Sequence, residues 1–129
     1  MTDRHAAPSK HPYARGAGLF AIAVGVVMIL LWVWFIATGD VPELETRPLS
    51  AWFHVIGELA TAALLIFTGW GLRTGASWAP RLYILATGML LLAIIHAFAW
   101  YGERGAVGMV IALVALGVVA VFFALRAEE

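Results

Sequence analysis

The stretch that decides the fold is Gly16–Thr38, GAGLFAIAVGVVMILLWVWFIAT, which contains no charged residue. A helix needs roughly 20 predominantly apolar residues to cross a bilayer core, and this stretch supplies them. The apolar core of a cleaved signal peptide is typically about 7–15 residues. This block is longer, and it closes on Trp32-Val33-Trp34-Phe35, an aromatic pattern suited to a membrane interface. It is read as a membrane-spanning helix.

Three more blocks of the same kind follow. The sequence predicts transmembrane helices at about 16–38, 50–72, 78–101 and 105–126. Residues 1–15 are read as a flexible cytoplasmic tail, 16–126 as one four-helix transmembrane domain, and 127–129 as a C-terminal tail. The chain is 63% hydrophobic and 12% charged, against about half and about a quarter in soluble domains. Ser50 and Ser77 are placed to cap the second and third helices, and Pro80 fits a first helical turn, where amide donors lack partners anyway. Gly39 to Pro48 reads as an acidic loop bounded by prolines.

Short connections make neighbouring helices antiparallel. The expected fold is therefore all-α: an up-down-up-down bundle of four transmembrane helices. Strands are disfavoured, because an open sheet edge in lipid leaves backbone groups unpaired. Basic residues near helix ends set orientation. Arg4, Lys10, Arg15, Arg73, Arg81 and Arg126 fall on one side, and Arg47 and Arg104 on the other. Both termini are accordingly placed in the cytoplasm of a multi-pass cell-membrane protein, with Trp32, Trp34, Trp52 and Trp100 at the outer interface and Trp70 and Trp78 at the inner one.

Some chemistries lack support in this sequence. Net charge is zero and the basic residues do not cluster, so nucleic-acid binding has no electrostatic basis. There is no cysteine, hence no disulfide and no thiolate ligand. No phosphate-binding loop or nucleotide fingerprint occurs. Small residues in the last helix, among them the pair Gly108 and Ala112, and Gly18 and Gly25 in the first, suit close helix packing, a homodimer or a larger membrane complex.

Three ionisable residues interrupt the apolar blocks: His54, Glu58 and His96. Such residues are costly in hydrocarbon and are usually turned inward and paired. His54 and Glu58 are four apart and share a helix face, which Thr61, Leu65 and Thr68 continue. His96 lies at matched depth on the adjacent antiparallel helix, near the outer leaflet. Gly57, Ala93 and Ala97 leave room there for close approach or for a ligand. The first and last helices carry no buried ionisable residue and are expected to frame the site.

Four readings fit this cluster. It can be a structural polar knot in an accessory subunit. Its two imidazoles and one carboxylate can ligate a transition metal through His54, Glu58 and His96. His54 and His96 can serve as a bis-histidine pair for haem b. A His/Glu pair can also carry acid–base chemistry on a lipid or quinone. The His-x-x-x-Glu pattern of His54 and Glu58 in an apolar helix resembles one in the emopamil-binding-protein group of sterol isomerases. The resemblance covers those two residues, and the third-helix acid of that group has no counterpart here, so its activity is not carried over. His5 and His11, and separately Asp40, Glu43 and Glu45, are read as solvated residues with a weaker reading as cation ligands. Trp100 and Tyr101 are read as belt anchors that could also stack on a ligand near His96.

Overall fold

The computed structural model describes residues 13–126. Among them there is no strand. Five helices occur in order: α1 (Ala14–Ala37), α2 (Glu43–Thr46), α3 (Pro48–Thr74), α4 (Ala79–Glu103) and α5 (Val107–Leu125). Four of them, α1, α3, α4 and α5, are long and apolar enough to cross a membrane. At 1.5 Å per residue, the 19 residues of α5 span about 28 Å and the 27 of α3 about 40 Å. The hydrocarbon core is about 30 Å thick.

The boundaries differ from the sequence reading where proline sets them. Pro48 opens α3, two residues before the expected start, so Ser50 lies inside the helix and caps nothing. Proline at a first helical position brings the right φ and lacks only an N–H that would be unpaired. Ser77 likewise makes no cap, since Trp78 holds the N-cap position of α4, and Pro80 sits in its first turn as expected. The acidic segment is not an open loop: Pro42 sits at the N-cap of the one-turn helix α2. Ala14 and Arg15, assigned to the tail, are helical. The rest of that tail up to residue 12, with Arg4, His5, Lys10 and His11, and residues 127–129 lie outside the described residues.

Contacts between helices give an antiparallel, up-down-up-down order. Gly18 lies against Gly69 and Arg73, and Gly25 against Ala62 and Ile66. These are the closest approaches of α1 and α3: a Cβ on Gly25 would come within 2.7 Å of the Ala62 carbonyl oxygen, and one on Gly69 within 2.6 Å of the Gly18 oxygen. Glycine is required there by space. Tyr83 of α4 is fully buried and its hydroxyl donates to the Ala120 carbonyl of α5 at 3.4 Å. Tyr13 and Phe122 meet edge to face, and the Arg126 guanidinium lies 5.2 Å from the Tyr13 ring. The start of α1 and the end of α5 thus share one end of the bundle, here the terminal end. Arg73 reaches the Arg15 carbonyl there, while Arg104 approaches Glu43 at the opposite, α2 end.

Packing is uneven along the bundle axis. Most of the fully buried side chains, among them Ala17, Ala21, Leu65, Tyr83, Ala86 and Ala120, belong to the terminal half, with Val55 the large exception toward α2. The contacts of α1 with α5 made by Tyr13, Gly16 and Phe20 lie at that end. Toward α2 the helices part around a cleft of about 1170 Å³ lined by all four long helices. Outward faces carry exposed Leu19, Leu30, Ile56, Ile95, Ile111 and Val118, a surface suited to lipid rather than water.

Candidate functional site

The hydrogen-bonded polar cluster of the cleft comes from three helices. His54 and Glu58 occupy successive turns of α3, and His54 Nε2 lies 3.0 Å from Glu58 Oε2. The other carboxylate oxygen, Oε1, accepts a hydrogen bond from the Trp32 indole N–H of α1 at 2.8 Å. A carboxylate in apolar surroundings is costly unless its lone pairs are used, and Glu58, with a side chain only 15% exposed, has both oxygens engaged. His96 of α4 completes the group: its ring lies edge-on to that of His54, with centroids 5.5 Å apart. Trp32 touches the opposite side of this chain, its ring 5.8 Å from that of His54.

His96 is also tied to its own helix, with Nδ1 3.1 Å from the Leu92 carbonyl oxygen. Thr61 and Thr68, on the stripe that continues His54 and Glu58, are buried and bond back to the Gly57 and Leu65 carbonyls. Gly57 borders the cleft, and a Cβ there would meet nothing within 4 Å. Of the two roles open to Gly57, it makes room and does not draw helices together.

The first helix was expected only to frame the site. It instead supplies Trp32, which the sequence reading gave to the interface belt. A buried carboxylate recruits whatever donor lies opposite, and the α1–α3 glycine contacts bring Trp32 to that depth. Trp100 has a double role: Arg104 stacks on it at 3.5 Å and Phe35 packs 5.9 Å away, while the ring also borders the cleft. Glu43 comes to the cleft mouth on α2, 3.9 Å from Arg104.

Most polar atoms of the group are already engaged, leaving one nitrogen on each imidazole ring. His54 Nε2 and both Glu58 oxygens are used within the cluster, and His96 Nδ1 on a carbonyl. Among the described residues no set of three or more His, Asp or Glu side chains is arranged around a common ion position. The two histidine rings are in edge contact, so a haem plane between them would have to part them. The metal and haem readings thus gain no support from the geometry. An apolar cleft with one polar, hydrogen-bonding end is what these residues build.

Fold and site together define a class: a small, all-helical protein of membrane type with a polar cluster set among its apolar helices. Within that class the chain belongs to the family "Domain of unknown function (DUF8058)", which matches residues 12–127. No curated protein and no solved structure matches it.

Proposed function

We propose that this is a multi-pass cell-membrane protein with cytoplasmic termini that binds a lipid-soluble amphiphile in the cleft. The His54–Glu58 pair and His96 meet its polar end. The observation that carries this reading is the placement of a fully partnered carboxylate on the wall of a mainly apolar cleft, whose other charged neighbours, Glu43, Arg47 and Glu103, lie toward its α2 end. Ligand pockets usually combine such apolar walls with a few convergent polar groups, in roughly 300–1,000 Å³. The space here, about 1170 Å³, suits a molecule with a long tail. From Trp32 back to Phe20 along α1 the cleft wall runs about 18 Å at 1.5 Å per residue, and apart from the polar cluster its neighbours are chiefly aliphatic and aromatic.

Native mass spectrometry of the detergent-purified protein tests this. The wild type is expected to retain a lipid-soluble adduct. Gly57→Phe, which puts a ring into open space, is expected to lose it with little change in thermal stability. Absence of any adduct from the wild type contradicts the reading. The same sample reports on the competing ligands. A Soret band or stoichiometric metal that disappears in both His54→Ala and His96→Ala would replace the amphiphile with haem or a transition metal.

A further inference from the structure

We propose that the polar end of the cleft is a site for a hydroxyl group, held between a donor on His54 and an acceptor on His96. This rests on the amphiphile reading and names the chemistry of the head it takes.

The assignment follows from counting hydrogens on the two rings. A carbonyl oxygen only accepts, so the His96 nitrogen facing Leu92, Nδ1, carries a hydrogen. In a neutral imidazole the other nitrogen, Nε2, is then an acceptor. His54 is the reverse case. Its Nε2 shares a single proton with Glu58 Oε2, since Oε1 is already occupied by Trp32. A net charge in this setting is expensive, which favours a pair that is neutral overall. The neutral pair has two forms: imidazolium with carboxylate, or neutral imidazole with carboxylic acid. In both, His54 Nδ1 bears a hydrogen and donates.

Neither left-over nitrogen has a hydrogen-bond partner among the described residues, although both rings border the cleft. One donor and one acceptor are thus left on two cleft-lining rings whose centroids are 5.5 Å apart. A hydroxyl is the smallest group that answers both, since it donates and accepts through one oxygen. An ether or a ketone oxygen accepts only, and leaves His96 Nε2 unanswered. The ligand class is a long-chain alcohol or an alkyl quinol. Trp32, Phe35 and Trp100 stand near enough to flank an aromatic head.

Competition in one tube tests the assignment. The full-length protein in detergent is given equimolar 1-hexadecanol and its methyl ether, and bound species are counted by native mass spectrometry. The alcohol is expected to be favoured about tenfold, the scale of one lost hydrogen bond that strands a partner. In His96→Ala the preference should fall to near unity while both probes still bind. Equal binding of the two probes by the wild type overturns the hydroxyl assignment and leaves the cleft reading standing. No binding of either probe overturns both. A preference undiminished in His96→Ala overturns the role of His96. A second competition, hexadecanol against a hydroquinone with the same alkyl chain, tells an aliphatic from an aromatic hydroxyl.

Discussion

A carboxylate surrounded by apolar side chains needs donors, and Glu58 obtains them from two helices. Trp32 gives an N–H from α1 and His54 shares a proton one turn away on α3. Removing one partner from such a pair strands the other, whereas removing both does not. His54→Leu is therefore expected to lower stability more than the double change His54→Leu with Glu58→Leu, as read by thermal unfolding in detergent. A double-variant loss equal to the sum of the two single losses would mean the side chains are not coupled. Trp32→Phe keeps an aromatic ring but removes the N–H. It should cost about 1–3 kcal/mol, the scale of an unsatisfied buried acceptor, and the loss should shrink when Glu58 is already Leu. The sequence made His54, Glu58 and His96 legible because charge in an apolar block is conspicuous. It did not make Trp32 legible as a partner, because a tryptophan near a helix end has an ordinary explanation at the interface.

A signal for Trp32 did exist at the scale of the helix pair. Gly18 and Gly25 meet Gly69 and Ala62, steps of seven residues on each strand of the contact. One more step reaches Trp32 on α1 and Val55 on α3, and Glu58 lies three residues from Val55 on the same face. The glycine spacing was visible, but which helix it faced was not, and without that the register could not be carried forward. The contact makes its own prediction. Gly25→Ala and Gly69→Ala press a methyl against backbone oxygens of the facing helix, and each should destabilise by about 1–3 kcal/mol. Gly108→Ala meets nothing within 4 Å and should be neutral or slightly stabilising, since alanine favours helix over glycine by up to about 1 kcal/mol. Thermal unfolding of the three variants side by side checks this. Helix ends were misread for a related reason: prolines at 42 and 48 fix local backbone angles, and these outweigh the capping preference of a nearby serine.

For the whole molecule, four apolar blocks with short connections were enough to read an antiparallel bundle. What they could not convey was the uneven packing, tight toward the termini and open toward α2, because that depends on which side chains meet across helices. The absence of cysteine makes orientation directly testable. Glu45→Cys at the α2 end should react with a membrane-impermeant maleimide added to intact cells, and Ser77→Cys at the terminal end only after the membrane is opened. The reverse pattern would invert the proposed topology. In the proposed function the cleft, and not the outward surface of the helices, takes up an amphiphile with its head at the polar cluster. Photo-crosslinking tests it most directly, using a long-chain alcohol with a diazirine beside the hydroxyl and mapping adducts by peptide mass spectrometry. Adducts are expected to concentrate on Trp32, His54, Glu58, His96 and Trp100 and to disappear in Gly57→Phe. Adducts confined to outward residues such as Leu30, Ile95 and Ile111, unchanged in Gly57→Phe, would contradict it.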